Sequence, residues 1–383
     1  MPTSRRECVR KLADVTVRGS AMSSAHAPLG AADRRPASDR IAPRCVPGLA
    51  TRTGARWQQT STWWEMMKGM TRAARLVEHG APLRVEDVTL PDPGPGEVRV
   101  RLAYAGVNPI DRYNAEGRAA ADGPVPRTLG GEASGLVDGQ PVVVVGAGLG
   151  SARDGVFATE AVVPAAAVVP APATIALEEA GAMGVAGLTS WNVVSLAGVG
   201  PEDRVLVLGA SGGVGSTIVS LVHSLGATVW GQCGSLEKAQ AVRGQGADEV
   251  VVAKAEGLAD AVRDLSPTVV TDPLGGAFTA AALSVLAPDG CLVLYGTSAG
   301  SEATLQLQPV YRGGQRFLGY GGLRLSDEKR REDLTEALSA LADGRLRIRI
   351  GQTFPLERVN YAFAALGDRT VAGKILLELD PPG

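Results

Sequence analysis

Alternating apolar and polar residues characterise the chain between about residue 70 and residue 165. Residues 97–104 show the pattern most clearly, because Val98, Val100 and Leu102 fall on one face of an extended segment. Proline and glycine punctuate these segments, and residues 91–96 read Pro-Asp-Pro-Gly-Pro-Gly. The pattern predicts a small antiparallel, barrel-like domain. Its predicted strands are 72–77, 83–89, 97–104, 133–137, 141–145 and 156–163.

A different pattern begins near residue 204, where short and continuously apolar runs alternate with segments of helical period. Residues 205–208 are all apolar, as in a strand that is buried on both faces of a parallel sheet. Residues 216–225 follow as a helix that carries Ile218, Leu221 and Leu225 on one face. The alternation predicts an α/β domain with a doubly wound parallel sheet. Its further strands and helices are predicted at 228–232, 236–244, 249–252, 256–265, 268–271, 278–286 and 290–295.

The turn between the first strand and the first helix of this second pattern is rich in glycine. It reads Gly209-Ala-Ser-Gly-Gly-Val-Gly215, and its Ala210, Gly212 and Gly215 have the spacing of a dinucleotide-binding fingerprint. In that fingerprint, small residues let backbone N–H groups approach a pyrophosphate at a helix N-terminus. Similar residues also occur in ordinary turns between a strand and a helix, but the repeated alternation that follows favours a nucleotide site.

The end of the second strand bears on the choice of dinucleotide. Enzymes that use NAD place an Asp or Glu about 20 residues beyond the glycines to bind the ribose 2′-hydroxyl. Here Gly234 occupies that position, Ser235 supplies a hydroxyl, and Lys238 supplies a compact positive charge suited to a 2′-phosphate. The alternatives are Ser235 as a helix N-cap and Lys238 on a solvated helix face. Because the nearest acid, Glu237, should already be helical, the sequence favours NADP(H).

Composition narrows the functional classes. The 383 residues suffice for two domains, and a formal net charge of −2 gives no reason to expect affinity for nucleic acid or a membrane surface. The four cysteines, Cys8, Cys45, Cys233 and Cys291, lack Cys-x-x-Cys spacing, which argues against a disulfide framework or a zinc ribbon. No run approaches the roughly 18 apolar residues of a membrane span. We therefore expect a cytoplasmic protein.

Residues 1–69 lack the periodicity of the chain that follows and are rich in Arg, Ala, Ser and Pro. Four interpretations are open: a disordered tail, a transit-like segment, an arm that binds a partner, or sequence upstream of the true start. The true start would then be Met66, Met67 or Met70. We favour this last interpretation, because a regular strand pattern begins immediately after Met70.

Five motifs stand in a characteristic order and spacing. They are Gly106-Val-Asn-Pro-Ile-Asp-Arg-Tyr113, Gly130-Gly-Glu-Ala-Ser-Gly135, Val185-Ala-Gly-Leu-Thr-Ser-Trp191, Gly209-Ala-Ser-Gly-Gly-Val-Gly215 and Gly373-Lys-Ile-Leu-Leu377. Together they resemble the medium-chain dehydrogenase/reductase superfamily, and within it the zinc-free NADPH:quinone oxidoreductases of the zeta-crystallin-like family. The resemblance covers about residues 70–380.

The resemblance implies an α/β protein in which a Rossmann domain interrupts a GroES-like β-barrel catalytic domain. Residues 70–190 would form the first part of the catalytic domain, and residues 191–321 the NADP-binding Rossmann domain. Residues 322–383 would return to the catalytic domain, and residues 1–69 would lie outside both.

Zinc-dependent alcohol dehydrogenases of the same superfamily need a Cys where Asn108 stands, a His where Gly131 stands and a further Cys near residues 183–187, because tetrahedral zinc takes thiolate and imidazole ligands. Residues 70–190 contain no cysteine, and their only histidine is His79. The four-cysteine lobe that holds structural zinc is missing as well. We therefore predict that the protein holds no metal.

A site without a Lewis acid suits an acceptor that is already electrophilic, such as a quinone or an α,β-unsaturated carbonyl. The protein would hold the nicotinamide against the acceptor, exclude water and stabilise the developing oxyanion. By resemblance, Tyr113 and Asn108 are the candidate catalytic residues that could donate hydrogen bonds in this cleft. Alternatively, Asn108 shapes the loop before Pro109 and Tyr113 is a half-buried aromatic residue, while Asp111 is expected to cap a helix.

The resemblance also implies which residues contact the cofactor. One departure from the family pattern is Ala253, where an aromatic or imidazole ring is common, although Lys254 beside it adds charge. The implied contacts are Ser211, Gly212, Gly213 and Val214 at the pyrophosphate; Gly234, Ser235 and Lys238 at the adenosine ribose and its phosphate; and Tyr113, Thr189, Leu294, Tyr295, Gly296, Thr297, Gly322 and Leu323 at the nicotinamide.

Two other functions remain open at this point. An enoyl-thioester reductase of the same superfamily would differ mainly in the acceptor pocket, shaped by residues 113–125 and 320–324. An NADPH-binding protein with little turnover is the second alternative, because a Rossmann fold does not prove chemistry. A short-chain reductase does not fit, since no tyrosine is followed four residues later by lysine. The family also implies a homodimer through the last Rossmann strand, expected near residues 292–295.

Overall fold

The computed structural model describes residues 69–118 and 123–380. The interpretations offered for the N-terminal segment lie outside the described residues, which begin at Gly69. The first described strand, β1 (Met70–Leu76), starts where the alternating pattern of the sequence starts.

The alternating segments form antiparallel strands, because one face of each is apolar and packs on a shared core. They are β2 (Arg84–Thr89), β3 (Glu97–Val107), β4 (Arg127–Thr128), β5 (Glu132–Val137), β6 (Gln140–Val145), β7 (Glu160–Pro164) and β8 (Val168–Pro170). Strand β1 lies between β2 and β4, whereas β3, β5, β6 and β8 are neighbours in a second sheet, with β7 also paired to β3. All six predicted strands are present, and β4 and β8 are too short to show a period of two.

Strand β3 was predicted to end at residue 104, but it continues to Val107. The extension has a partner far along the chain, strand β16 (Lys374–Glu378), which pairs antiparallel with it and sets Ile375 opposite Val107. Strand β15 (Ile350–Pro355) pairs in parallel with β16. The C-terminal segment therefore belongs to the sheet of the first domain.

The continuously apolar runs form a parallel sheet, as their burial on both faces requires. Its strands are β9 (Arg204–Val207), β10 (Thr228–Cys233), β11 (Glu249–Val252), β12 (Val269–Asp272), β13 (Cys291–Leu294) and β14 (Arg316–Gly319). Their order is β11-β10-β9-β12-β13-β14. From β9 to β11 the chain adds strands on one side of β9, and from β12 to β14 it adds them on the other side. This change of direction between β9 and β12 opens a crevice at the carboxyl ends of the strands. This confirms the predicted doubly wound sheet.

The last strand of this sheet is β14, and not the segment near residues 292–295 that the family resemblance implied. Strand β13 has β12 on one side and β14 on the other, so its backbone groups are already paired. The prediction failed because β14 has only four residues, Arg316 to Gly319, and these are mostly exposed, so they lack the apolar run of a buried strand.

Helices connect the strands, as parallel pairing demands a crossover. None of the described helices has the length and apolar character needed to cross a membrane. The helices are α1 (Pro109–Ala115), α2 (Leu177–Ala180), α3 (Leu188–Ala197), α4 (Gly213–Ser224), α5 (Leu236–Arg243), α6 (Ala255–Ala261), α7 (Gly276–Val285), α8 (Leu307–Arg312), α9 (Asp327–Ala342) and α10 (Val359–Gly367).

The two antiparallel sheets share one apolar core, and the parallel sheet has another. The barrel core contains Phe157, whose ring meets that of Phe363 edge to face with centroids 6.4 Å apart. Residues of α10 and β16, such as Val359 and Leu377, are buried in the same core. A second core, which includes Leu206 and Leu292, fills one side of the parallel sheet. The two cores hold the polar residues between the sheets in fixed positions.

Candidate active site

The glycine turn lies between β9 and α4, at the carboxyl edge of the parallel sheet. Gly209 has a positive φ of 60°, and a Cβ on Gly215 would lie 2.3 Å from the Gly209 carbonyl oxygen. Gly212 is the N-cap of α4. The first N–H groups of a helix have no acceptor within it, so they point at any anion bound over this turn. The predicted residues Ser211, Gly212, Gly213 and Val214 are all at this end.

A buried glutamine, Gln232, holds the glycine turn in place by hydrogen bonds. Gln232, which is 2% exposed, accepts a hydrogen bond from the Gly209 N–H at 3.0 Å. Its Nε2 donates to the Ala253 carbonyl at 2.7 Å, which ties the turn to the end of β11. Sequence reasoning assigned Gln232 no role. The sequence does show a polar amide at the end of an otherwise apolar strand. A buried amide needs hydrogen-bond partners, so this position could have been predicted to hold a neighbouring loop.

The residues predicted to face the adenosine follow β10. Ser235 is the N-cap of α5, and Gly234 beside it is exposed. The Lys238 ammonium donates to the Arg369 carbonyl, and Arg369 Nη2 donates to the Ser298 carbonyl at 2.5 Å. The connection between α10 and β16 therefore reaches along the carboxyl edge from α5 to the loop after β13.

On the other side of the crevice, Leu294 is the last residue of β13, and Tyr295, Gly296 and Thr297 follow it directly. A Cβ on Gly296 would lie 2.7 Å from the Pro273 carbonyl oxygen, so this loop packs closely against the end of β12. Burial, together with the nearby Asp272 carboxylate, raises the pKa of Tyr295 well above its ordinary value. Tyr295 therefore stays protonated at any physiological pH.

Two of the residues predicted for the nicotinamide side, Thr189 and Gly322, lie beside Tyr320. Thr189, in the first turn of α3, lies beside the Tyr320 hydroxyl. That hydroxyl would be 3.2 Å from a Cβ on Gly322, which begins a short 3-10 turn. Burial raises the pKa of Tyr320 to about 12. Leu323 is 83% exposed, so its side chain is free to cover a ligand. Of the residues expected to shape the acceptor pocket, 119–122 lie outside the described residues.

Lys374, Glu132 and Asn108 form a buried polar cluster. Lys374 Nζ donates to Glu132 Oε1 at 2.6 Å and to Asn108 Oδ1. Asn108 Nδ2 donates to Glu132 Oε1 at 2.8 Å and to the Gly106 carbonyl at 3.2 Å. Glu132 Oε2 accepts from the Val185 N–H at 2.6 Å. The side chains of Lys374 and Glu132 are 5% and 0% exposed, so this is a fully desolvated ion pair.

A strand pairing and a backbone hydrogen bond place Lys374 in this cluster. It is the first residue of β16, whose pairing with β3 sets it near Asn108. Gly373 before it has a φ of 108° and donates its N–H to the Ser211 carbonyl at 2.8 Å. A Cβ on Gly213 would meet Lys374 Cδ at 3.2 Å. The lysine side chain thus runs from the glycine turn into the polar cluster.

Asn108 also begins helix α1 through a capping box. Its own N–H donates to Asp111 Oδ2 at 2.8 Å, which confirms that Asp111 caps this helix. Since both hydrogens of the Asn108 amide already have acceptors, its role in the described structure is to hold the cluster. Tyr113, one turn further along α1, is half-buried, and the Arg118 guanidinium lies 5.0 Å from the centre of its ring.

Asp111 titrates close to neutrality. Complete burial raises its pKa from 3.8 to about 7, and the nearby Glu132 carboxylate acts in the same direction. Hydrogen bonds from the backbone of Asn108 and Gly131, and the Lys374 charge, oppose this shift. The cluster therefore carries a carboxyl group that is largely protonated below pH 7.

The Asp111 pKa predicts a pH dependence of stability. Between pH 4 and 7 the folded protein holds a proton that the unfolded chain has released, so the free energy of unfolding falls as pH rises through this window. Above pH 7 the effect is constant; linkage puts its total at roughly 4 kcal/mol. We expect wild type to gain thermal stability relative to Asp111→Asn as pH falls from 7 to 5. A difference in melting temperature that does not change with pH would contradict the assignment.

Residues that could hold a metal are not assembled at this position. Within residues 69–118 and 123–380, no group of three His, Cys, Asp or Glu side chains is placed to bind a metal ion. The cluster instead places the ammonium of Lys374 beside Asn108 and Glu132, and an ammonium repels a cation and has no lone pair to donate.

Comparisons with known proteins agree with this architecture. A family profile described as zinc-binding dehydrogenase matches residues 245–377. Quinone oxidoreductase-like protein 2 of Bos taurus is 30% identical over 332 residues, which cover 83% of this chain and 95% of that protein.

Solved structures show the same fold. The quinone oxidoreductase from Thermus thermophilus, solved also as a complex with NADPH, superposes with a TM-score of 0.72 and 27% identity, covering 80% of this chain and 100% of that one. An NAD-dependent alcohol dehydrogenase superposes with a TM-score of 0.74 and 30% identity over 80% of this chain and 99% of that chain. These neighbours confirm the GroES-like and Rossmann arrangement. The chain belongs to the quinone oxidoreductase family of the medium-chain dehydrogenase/reductase superfamily.

Proposed function

We propose that this protein transfers a hydride from NADPH to a quinone or an α,β-unsaturated carbonyl without the help of zinc. The observation that carries the proposal is the Lys374–Glu132 ion pair, which places an ammonium beside Asn108, where a zinc enzyme of the superfamily has a thiolate. An acceptor that is already electrophilic needs hydrogen bonds to its oxygen more than it needs a Lewis acid.

The residues present fit a dinucleotide. The N-terminus of α4 and the close-packed glycines leave room for a pyrophosphate over the turn, and Lys238 and Ser235 stand at the adenosine end. We propose NADP(H) because no carboxylate takes the place of Gly234, and because the Thermus thermophilus relative was solved with NADPH. When bound, NADPH would supply a hydride, which carries the two electrons of the reduction.

The protein's own part is to hold, orient and shield. Ser211 to Val214 would hold the pyrophosphate, and the loop from Leu294 to Thr297 would flank the nicotinamide together with Thr189. Gly322 and Leu323 would cover the ring, which helps to exclude water. We propose Tyr113 as a hydrogen-bond donor to the acceptor and Asn108 as the residue that keeps the polar cluster in place.

Oxidation of NADPH and NADH, followed by nicotinamide absorbance with a chelator present throughout, tests the proposal. The acceptors are one quinone, one small enone and one enoyl thioester. We expect turnover that prefers NADPH and is insensitive to the chelator. Turnover with the thioester alone would favour the enoyl-thioester reductase, whereas tight NADPH binding without any turnover would favour a binding role.

The Lys238→Glu variant tests the 2′-phosphate site. We expect the dissociation constant of NADPH to rise by roughly 10-fold to 100-fold, since a charge-assisted hydrogen bond is replaced by repulsion, and that of NADH to change much less. Arg263→Glu is the matched control, because it makes the same charge change on an exposed residue. Arg263 lies near the amino ends of the strands, whereas Lys238 lies at their carboxyl ends. Equal weakening of both dinucleotides by Lys238→Glu would refute the assignment.

We also propose a homodimer through the free edge of β14. This strand ends the sheet order in the described structure, and its Phe317 is 45% exposed. Leu307 and Tyr311 on the neighbouring α8 are 70% and 68% exposed, which is unusual for large apolar side chains. Light scattering after gel filtration should give twice the chain mass, and Phe317→Asp should give the monomer mass. A monomeric wild type would rule out this interface.

A further inference from the structure

We propose that the Lys374 ammonium is the electrophilic group of this active site: it donates a hydrogen bond to the acceptor oxygen and stabilises the oxyanion that hydride transfer creates there. The inference rests on the proposed function and assigns the part of the missing metal to a residue of this chain. In the sequence, Lys374 stands out only as a member of the Gly373–Leu377 motif.

The donor count of Lys374 supports the assignment. A lysine ammonium has three N–H donors and no acceptor. In the described part of the chain, the hydrogen bonds of Nζ go to two atoms, Glu132 Oε1 and Asn108 Oδ1. One N–H is therefore left for an acceptor that the protein itself does not supply. A buried donor without a partner is costly, so a ligand oxygen is the natural partner.

The surroundings hold this donor still. Glu132 cannot turn away, because its second oxygen accepts from the Val185 N–H at 2.6 Å. Asn108 cannot turn away either, because Nδ2 donates to both Glu132 and the Gly106 carbonyl. A rigid donor of this kind needs no reorganisation when charge develops in the transition state.

The position of Lys374 suits an acceptor oxygen rather than a purely structural pair. Its side chain passes Gly213 at the glycine turn and ends at Asn108, the N-cap of α1, and the same helix carries the proposed donor Tyr113. Glu132 balances the positive charge of Lys374, while the remaining N–H bond of the ammonium stays oriented for a hydrogen bond. In this dry setting a hydrogen bond to an anion is stronger than in water.

The chemical step balances without any further reagent. With NADPH bound, a hydride would add to the β-carbon of an enone, the alkene π pair would become the new enolate double bond, and the carbonyl π pair would move to the oxygen. The enolate oxygen then accepts the Lys374 N–H, and a proton from water adds to the α-carbon. With a quinone, the hydride would add to one carbonyl oxygen, the ring electrons would shift to make the ring aromatic, and the other oxygen would become the phenolate that accepts the Lys374 N–H before water protonates it.

Removing the ammonium alone would leave Glu132 buried and unpaired, so the test uses the double variant Lys374→Met/Glu132→Gln, which removes both charges. We expect kcat with the enone to fall about 100-fold, as for loss of one oxyanion donor, while the NADPH dissociation constant changes less than about 3-fold. Lys374→Arg keeps a cationic donor and should recover part of the loss. Arg99→Met, which breaks the Arg99–Glu160 pair in the barrel, is the matched control.

A second readout needs no turnover. 4-Nitrophenol, whose phenolate resembles the oxyanion of a reduced quinone, is bound to the NADP⁺-saturated protein and titrated by its absorbance. In wild type the pKa of the bound phenol should lie about one unit or more below that in the double variant, because a nearby cationic donor favours the anion. Lys374→Arg should retain most of the difference.

The outcomes separate the two proposals. Equal phenol pKa values in wild type and double variant would overturn the role of Lys374, and so would unchanged kcat in the double variant. A double variant that loses NADPH affinity but keeps kcat would make Lys374 a cofactor ligand instead. If wild type reduces no acceptor, the proposed function fails, while the phenol titration still reports on the lysine.

Discussion

Replacing Glu132 with alanine should destabilise the folded protein by about 3–5 kcal/mol, the cost of leaving one member of a buried ion pair alone. The Lys374 ammonium would lose its carboxylate in a site where it is 5% exposed. The Asn108 amide and the Val185 N–H would lose an acceptor at the same time. Water cannot replace these partners easily, because Glu132 is completely buried.

The measurement is the midpoint of thermal or urea unfolding. Glu160→Ala serves as the comparison, since its pair with Arg99 is 3.4 Å long and its side chain is 37% exposed. Such a pair is worth only about 0–1 kcal/mol. Equal shifts for the two alanine variants would show that the cluster around Glu132 is solvated, and would also weaken the role proposed for Lys374.

Gly215→Ala should abolish most cofactor binding while leaving the barrel intact. The φ of Gly215 is not in the left-handed region, so the objection to alanine is space. Its Cβ would lie 2.3 Å from the Gly209 oxygen and 2.9 Å from Ala210 Cα, and both are backbone atoms that cannot swing away. The turn would have to move, and with it the N–H groups at the start of α4 that are aimed at the pyrophosphate.

We expect the NADPH dissociation constant to rise by about 30-fold to 100-fold, corresponding to roughly 2–3 kcal/mol of misplaced contacts and strain. Gly257→Ala is the control, because a Cβ there meets nothing within 4 Å and alanine favours a helix. Titration of nicotinamide fluorescence measures both. Unchanged NADPH affinity in Gly215→Ala would mean that the dinucleotide does not lie over this turn.

Patterns that involve neighbours in the chain were enough to predict much of the fold. The period of two between residues 71 and 163 identified the antiparallel strands, and the apolar runs after residue 204 identified the parallel sheet. Both patterns are local, because a strand buried on one face alternates apolar and polar residues and a strand buried on both faces is apolar throughout. The glycine spacing likewise placed the nucleotide turn. Strand β14 was missed since its four residues at a sheet edge carry no such pattern.

The contacts within the polar cluster could not be predicted from neighbouring residues in the chain. Glu132 stood out in the sequence only as a motif residue, whereas Asn108 was expected to donate to the acceptor. The structure gives both of its amide hydrogens to Glu132 and Gly106. Likewise, Lys238 was placed correctly at the start of α5, but nothing local predicted that the Arg369 carbonyl would be its partner 131 positions away.

The sequence by itself determined the antiparallel strands, the parallel sheet, the glycine turn and the family, because each rests on residues close together in the chain. Only the tertiary structure decided that Lys374 meets Glu132 and Asn108 in one buried cluster. Lys374 lies 242 positions from Glu132 and 266 from Asn108, and the three meet because β16 returns to pair with β3. A contact of that range depends on strand pairing and on the fit of two cores, which no local pattern encodes.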